Sequence, residues 1–483
     1  MTIELALQRL PVRLTRDPRQ TITRFFWLGP GRARKIIQRV LALEEEETVQ
    51  LLLTTLQNFD HLHIDLMGIF LAHFEEVRRR VGVPDSLSDE RKRLLGAFFT
   101  LEYSFASAAL FNPSIAPAIN QQGVEPGSLR FVMSLRCVGE GHISSIVFRR
   151  GIVNPEGQVV LERAGPYREP RRWIEKRLLS KPEARSRLRA VGVREPVLEE
   201  VFGHLGNPFT MEDLRAVTYR VQATTQAVTI TDEDIRLMES LVPCDYNVEM
   251  FPDTSMNQVI LFPMCQAESR GMEDMRLVRF AGEDGSLRYY GTYTAFNGWW
   301  TRVQLVEIST PEVAYVRSLR GRAATNKGLA LFPRQVGGRY VMSGRIDGEN
   351  LYILQSKDIR VWDEAVLVQE PESPWEIVQI GNCGSPIETE AGWLLLTHGV
   401  GPMRRYCIGA TLLDLDDPTK LIGRLDRPLV APTDEERTGY VPNVVYSCGA
   451  LVHNGMLVIP YGISDAATGF ATIPLDDLLS RLT

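Results

Sequence analysis

The chain has 483 residues, 44% of them hydrophobic and 24% charged, with a formal net charge of -6 at pH 7. That length exceeds what one simple core holds and points to one large domain with an appendage, or to two domains. The balance is that of a soluble globular protein: it excludes disordered and fibrous classes, and so mild a charge gives no reason to expect nucleic acid or an anionic membrane as partner.

The first twenty residues, MTIELALQRLPVRLTRDPRQ, are broken by charge too often for the apolar stretch of a signal peptide. Nowhere do the roughly 18 uninterrupted apolar residues of a membrane helix occur. The six cysteines, Cys137, Cys244, Cys265, Cys383, Cys407 and Cys448, are scattered and include no CxxC pair. They read as free thiols in a reduced, cytoplasmic setting rather than as a disulfide framework or metal ligands.

Apolar residues recur at helical spacing through residues 33–43, 44–56 and 63–81, where Leu66, Ile69, Phe70, Phe74 and Val77 make one stripe. Ser86 or Ser88 offers an N-cap for a further helix over 89–100. A helical extension over residues 1–105 is therefore expected, with a role in homo-oligomer assembly. From Phe111 the texture changes to short β-rich runs broken by Gly, Asn, Asp and Pro: 129–137, 144–148, 258–262, 277–280, 287–293, 302–308, 340–343, 351–355, 393–397, 406–413, 450–459 and 469–473. There is no long βαβ alternation and no GxGxxG loop, so residues 106–483 are expected to form a mainly β sandwich, barrel or propeller. A propeller suits the length best, because radial repetition leaves no long exposed edges. A charged, helix-like insertion at about 167–221, with helices over 171–178, 182–189 and 197–205, interrupts this region and belongs on one rim.

Metal-dependent chemistry is disfavoured. The histidines are dispersed, His61 and His63 do not share a helix face, and neither HExxH nor a GxSxG elbow is present. Carboxylates are more suggestive. Glu273 and Asp274 are adjacent at a loop-to-strand junction, flanked by Arg270, Arg276 and Arg279. Neighbours on a strand point to opposite faces, so one can meet a substrate while the other pairs with an arginine inside, an arrangement suited to a general acid. The same residues would also serve as a strand-end salt-bridge cluster. Three further polar groups stand out: Arg136 to Ser145, with Glu140, Ser144 and Ser145; Asn326 and Lys327 with Arg345; and His398 with Arg404 and Arg405, which suit an anion. Each has a plain alternative, as a tight hairpin, solvated surface charge or a structural histidine. Tyr290, Tyr293, Phe296, Trp299 and Trp300 lie nearby in sequence and suit sugar stacking or core packing equally.

These segments resemble glycoside hydrolase family 130. The resemblance is carried by Phe111-Asn112-Pro-Ser, the run from Arg136 to Ser145, Gly271-Met-Glu-Asp-Met-Arg276, Gly291-Thr-Tyr293-Thr-Ala, Asn326-Lys327-Gly-Leu-Ala-Leu-Phe-Pro, Gly384-Ser-Pro-Ile-Glu388, His398-Gly-Val, Ile408 to Asp414, Val441-Pro-Asn-Val-Val and Tyr461-Gly-Ile-Ser-Asp465, in that order. It covers roughly the C-terminal three quarters of the chain. It implies a five-bladed β-propeller with a central active site, and an enzyme that cleaves β-mannosides with inversion, mostly by phosphorolysis and in some relatives by hydrolysis of β-1,2 linkages. Asp274 takes the position of the proton donor, with Met275 where the family has proline, and Asp465 that of a sugar-binding residue.

An inverting hydrolase needs two carboxylates about 6.5–9.5 Å apart. A phosphorolytic enzyme needs only the acid, together with cations and donors for phosphate. The expectation is an inverting phosphorylase producing mannose 1-phosphate, with Asp274 catalytic. Asn112, Arg136, Ser144, Ser145, Glu273, Tyr293 and Asp465 would bind the oligosaccharide, and Lys327, Arg345, His398, Arg404 and Arg405 the phosphate co-substrate. No other cofactor and no metal is expected. The alternatives are a hydrolase using Glu140, Glu388 or Glu436 as base, and a non-catalytic glycan-binding propeller.

Overall fold

Turn residues cut the β region into short antiparallel strands, and their hydrogen bonds group them into successive sheets. The structure is a computed structural model that describes residues 6–84, 86–168, 171–173, 178–190, 192–225, 227–239, 244–250, 255–310 and 313–482. The protein is mainly β. Strands Ala109–Pro117, Leu129–Val138 and Ser144–Val153 pair in order, and a parallel contact of Ser144 with Gly271 joins them to Gly271–Ala281, Leu287–Phe296, Thr301–Thr310 and Val313–Ser318. Next come Ala330–Leu331, Tyr340–Gly344, Leu351–Ser356 and Ala365–Gln369, then Gln379–Asn382, Gly392–Gly401, Arg405–Leu413 and Leu421–Arg424. The last sheet holds Val445–Tyr446, Met456–Ile463 and Ala467–Pro474. The expected single run 450–459 is divided into Leu451–His453 and Met456–Ile463 by Asn454 and Gly455, both at positive φ, as a two-residue hairpin turn requires.

Neighbouring strand pairs and sheets are laced through their inner strands. Leu277 N donates to Ser114 Oγ at 2.9 Å, Thr292 Oγ1 donates to Leu329 O, and Asn382 Nδ2 donates to Gly328 O at 2.7 Å. At Gly384 the backbone passes so near Cys448 that an added Cβ would lie 2.2 Å from the Cys448 carbonyl oxygen. Cys448 N in turn donates to Pro113 O at 2.8 Å, which brings the last sheet back to the first.

The expected helical extension is only partly helical. Strand Gln8–Leu14 completes the last sheet, pairing with Ala467–Pro474 (Gln8 with Thr472, Leu10 with Phe470). Thr21–Phe25 pairs with Thr100–Ser104. Between them lie helices Pro30–Leu41, Glu45–Phe59, Leu66–Val81 and Asp89–Phe98. The helix expected from residue 63 starts at Leu66 because Asp65 caps it, accepting from Gly68 N. Ser88, not Ser86, caps the fourth helix. Phe70, Phe74, Val77, Leu94 and Phe99 fill the core between these helices.

In the insertion, Arg171–Trp173 is a strand paired with Tyr246–Glu249 where a helix over 171–178 was expected; residues 174–177 of that expectation lie outside the described residues. Helices Lys181–Ala190, Glu195–Gly203, Met211–Thr224 and Asp232–Glu239 enclose a separate core around Leu188, Val197, Val201 and Phe209, so the helical insertion runs on past 221. Among the described residues no helix is long and apolar enough to cross a membrane.

Glu436 fastens the first strand to the last sheet. Tyr461 Oη donates to it at 2.6 Å, Arg9 Nε at 3.3 Å and Thr433 N at 3.2 Å. Burial opposes its charge, but these donors hold its carboxyl below the usual range. Glu436→Ala leaves the buried Tyr461 hydroxyl without its acceptor, and urea unfolding is expected to show a loss of about 1–3 kcal/mol near neutral pH. The depressed folded-state value places this contribution above the unfolded pKa and removes it as pH falls through the folded one, so wild type and variant converge in acid.

Candidate active site

Asp274 is the fourth residue of strand Gly271–Ala281, and it does not follow the strand's alternation. Glu273 pairs with Thr294 and Arg276 with Thr292, so three residues span what two span opposite, and Asp274 takes φ 53° inside the bulge. The strand pair Ala109–Pro117 and Leu129–Val138 repeats the device. Phe111 pairs with Arg136 and Ser114 with Ser134, and Asn112 between them has φ 49°. Left-handed backbone costs about 1–2 kcal/mol for most residues, and Asn and Asp tolerate it best. The two bulges turn their side chains together, and Asn112 Nδ2 donates to Asp274 Oδ1 at 2.8 Å.

The expected opposition of Glu273 and Asp274 is thereby corrected. Both meet Arg136, which donates through Nη2 to Glu273 at 2.8 Å and through Nη1 to Asp274 at 3.4 Å, while its Nε donates to Ser144 Oγ at 3.0 Å. Lys327 Nζ donates to the other oxygen of Glu273 at 3.0 Å. Burial works against ionisation of Asp274, but Arg136, Arg276, the Asn112 bond and Lys327 outweigh it and hold the carboxyl below its usual range. Asp465, at φ 50°, joins the group from the last sheet. Burial and the charge of Asp274 raise its pKa to about 6, against the pull of Arg136 and Arg404.

Beside the carboxylates lies a cationic cluster. Arg276 is buried and donates to Tyr446 Oη at 2.6 Å. Arg345 and His398 both cross Gly381, where an added Cβ would stand 2.9 Å from Arg345 Cδ and 2.7 Å from His398 Cε1, so only glycine leaves room. Asn326, at φ 61°, donates to Arg345 O at 3.1 Å. His398 is inside the cluster but is not one of its cations. Burial, then Arg345 and Arg276, hold its pKa well below the usual imidazole value. The neutral ring accounts for both its neighbours: Nδ1–H donates to Asn382 O at 3.2 Å, and Nε2 accepts from Gln379 Nε2 at 3.3 Å. Several buried polar atoms of this region have no protein partner: Asn112 Oδ1, Arg276 Nε, Arg345 Nε, Asn382 Oδ1 and Ser385 Oγ. Buried polar atoms of this kind are open to a hydrogen bond from water or a ligand.

Other expected residues are placed elsewhere. Ser145 Oγ is 3.0 Å from Cys137 Sγ in the core. Tyr293 lies in the core with Met272 and Met275, its hydroxyl donated to Glu268. Arg405 donates to Pro432 O at 3.2 Å, whereas Arg404, over the Tyr406 ring at 5.6 Å, stays near enough to act on the charge of Asp465. None of the three glutamates considered as bases has a contact with Asp274: Glu140 is exposed, Glu388 pairs with Arg334 at 2.6 Å, and Glu436 is the strut described above. Sequence reasoning passed over Asn382 and Tyr446, and named Arg276 only as a flanking arginine and not as a site residue. The signal for Arg276 was its place two residues after Asp274, where a bulge turns a strand neighbour into a member of the same site.

Fold and site together define a mainly β protein with a buried group of carboxylates and arginines. Residues 209–483 match the glycoside hydrolase family 130 profile, described as β-1,4-mannooligosaccharide phosphorylase. The chain is 33% identical over 217 residues to a 1,2-β-oligomannan phosphorylase of Thermoanaerobacter sp. (strain X514), covering 44% of this chain and 71% of that one. It is 35% identical over 213 residues to a β-1,2-mannobiose phosphorylase of the same organism, covering 43% and 68%. The solved β-1,2-mannobiose phosphorylase of Listeria innocua aligns with a TM-score of 0.46 and 20% identity over 79% of this chain and 93% of that one. The chain belongs to glycoside hydrolase family 130 and is an enzyme acting on β-mannosides.

The raised pKa of Asp465 has a readable consequence. Its folded-state value of about 6 exceeds the ordinary 3.8, so the neutral form is favoured by folding; that contribution is full below the unfolded value and lost as pH rises through about 6. Asp465→Asn is expected to flatten the fall in stability between those two values, measured by urea unfolding at several pH values. A slope identical to that of the wild type would contradict the assignment.

Proposed function

We propose that this enzyme is an inverting phosphorylase that cleaves a β-mannoside with inorganic phosphate to give mannose 1-phosphate, with Asp274 as general acid. The observation that carries the reading is the cationic cluster with unpartnered donors on Arg276 and Arg345 beside a carboxylate group anchored by Asn112 and Arg136. A phosphate anion would supply the acceptors those donors lack. Of the glutamates a hydrolytic reading would use as base, Glu388 is paired with Arg334 and Glu436 is held by Tyr461 and Arg9, while Glu140 is exposed. The names of the similar proteins, phosphorylases of β-1,2-linked mannosides, agree with this reading. The successive sheets are read as the five blades of a propeller, with the site in its central depression.

In the resting site Asp274 is anionic because cations surround it. A general acid must begin protonated. Phosphate drawn in beside Arg276, Arg345 and Lys327 cancels the charge that depresses Asp274 and favours its uptake of a proton. A phosphate oxygen then bonds to the anomeric carbon from the face opposite the leaving group. The glycosidic C–O bond breaks, and the Asp274 proton ends on the departing oxygen. Neutral His398 and Asn382 shape the phosphate pocket, and Asp465 with Asn112 orients the sugar.

Product analysis with β-linked manno-oligosaccharides tests this. Mannose 1-phosphate is expected only when phosphate is present, and free mannose formed without phosphate would establish a hydrolase instead. Asp274→Asn is expected to lower kcat by about 100- to 10,000-fold while sugar binding is kept, and sugar binding with no turnover in either wild type or variant would identify a glycan-binding module. Arg345→Ala is expected to raise the KM for phosphate by about tenfold or more.

A further inference from the structure

Trp299 is 93% exposed, in a protein that buries most of its large side chains. Single exposed apolar residues are ordinary, so position and stiffness have to carry any argument about this one. It lies in the turn between strands Leu287–Phe296 and Thr301–Thr310. That turn is held in shape: Asn297 Oδ1 accepts from the backbone N of both Trp299 and Trp300 at 2.9 Å, and the Arg302 guanidinium lies 5.0 Å over the Trp300 ring. The indole is thus presented on a fixed backbone.

The turn adjoins the site. Phe296 pairs with Gly271, three residues before Asp274, which is roughly 10 Å along the strand. Lys327 Nζ, which holds Glu273, stands 6.0 Å from the Phe296 ring centre. A second exposed aromatic stands beside Asp465. Tyr440, 64% exposed, stacks on His142 at 6.2 Å and 25°, and the next residue, Val441, donates its N–H to Ser464 O at 3.0 Å. Aromatic faces therefore flank the site at two points, one on the strand pair that carries Asp274 and one by the Asp465 loop.

We infer that Trp299, with Tyr440, forms a distal saccharide subsite that takes the sugar units of a manno-oligosaccharide beyond the cleaved bond. The inference rests on the phosphorylase reading for the identity of the substrate. A pyranose presents an apolar C–H face that an indole matches, and its hydroxyls need only water and the nearby polar groups. Such a subsite favours long chains over a disaccharide, because only the longer chain reaches the turn from Asp274.

The test compares wild type, Trp299→Ala, Trp299→Phe and Tyr440→Ala. The ratio of kcat/KM for β-mannotetraose to that for β-mannobiose, with phosphate, is expected to fall about two- to tenfold in Trp299→Ala and to recover in part in Trp299→Phe. Calorimetry with the same saccharides, in an Asp274→Asn background, is expected to show a matching weakening for the tetraose. A ratio and a tetraose affinity that stay at the wild-type level in both alanine variants would overturn the subsite. So would dissociation of an oligomer in light scattering with the ratio preserved, which would assign the patch to protein contact. If no form turns over any β-mannoside with phosphate, the phosphorylase reading fails, while the calorimetric comparison still decides whether Trp299 holds saccharide.

Discussion

The hydrogen bond from Asn112 to Asp274 is the constraint on which the site depends. Both residues sit in left-handed bulges of neighbouring strand pairs in one sheet, and a regular strand at either position would send its side chain to the other face. Strained backbone persists only where its surroundings over-determine it. Here the surroundings are the laced inner strands: Ser114 on strand Ala109–Pro117 accepts from Leu277 on strand Gly271–Ala281, and Cys448 of the last sheet returns to Pro113 of the first. The closure needs residues from both ends of the sequence, because Gln8–Leu14 supplies the strand beside Ala467–Pro474. A mutation far from Asp274 in sequence can thus loosen it.

The charge balance follows from that geometry. Arg136 spans Glu273 and Asp274, Lys327 takes the second oxygen of Glu273, and Arg276 adds its field from two residues away. Arg345 lies on the far side of the cluster with its Nε unpartnered. Glu273 and Asp274 do not saturate these donors, and buried donors without acceptors are costly. Under the proposed function, an anionic co-substrate would satisfy them and, in the same step, change the field at Asp274. Affinity for the anion and protonation of the acid are then two readings of one electrostatic arrangement.

Much of this was legible in sequence where a local rule governs. The stripe Leu66, Phe70, Phe74 and Val77 is a helix face because helical spacing makes it one, and Ser88 caps because a short hydroxyl side chain reaches the freed N–H groups. The pairing of Glu273 and Asp274 with Arg136 was visible only as a set of segments resembling a known family, since those residues lie more than a hundred positions apart. What was not legible depends on tertiary contact. Strand Gln8–Leu14 carries interleaved arginines, and only the edge of the last sheet selects it. Strand Ala109–Pro117 is buried on nearly every residue and so lacks the alternation by which half-exposed strands are recognised. A bulge inserts one residue without altering composition, so the shared face of Glu273 and Asp274 leaves no mark in a pattern of period two.

His398 shows how far residue type alone can mislead about charge. Beside Arg404 and Arg405 in sequence, a histidine reads as a third cation. In the fold those arginines lie at or over the surface of Tyr406 and Pro432, and the histidine is enclosed between Tyr406 and Tyr446 with Arg345 and Arg276 close by. Burial and two guanidinium groups together make protonation costly and outweigh the bond to Asn382 O, which pulls the other way, and Nε2 stays free to accept from Gln379. Gly381 then admits Arg345 alongside the ring, and the charge of the pocket passes to a group that cannot lose its proton. An arginine cluster built this way, the phosphate pocket of the proposed function, keeps its positive charge across the pH range in which a histidine-based one would titrate.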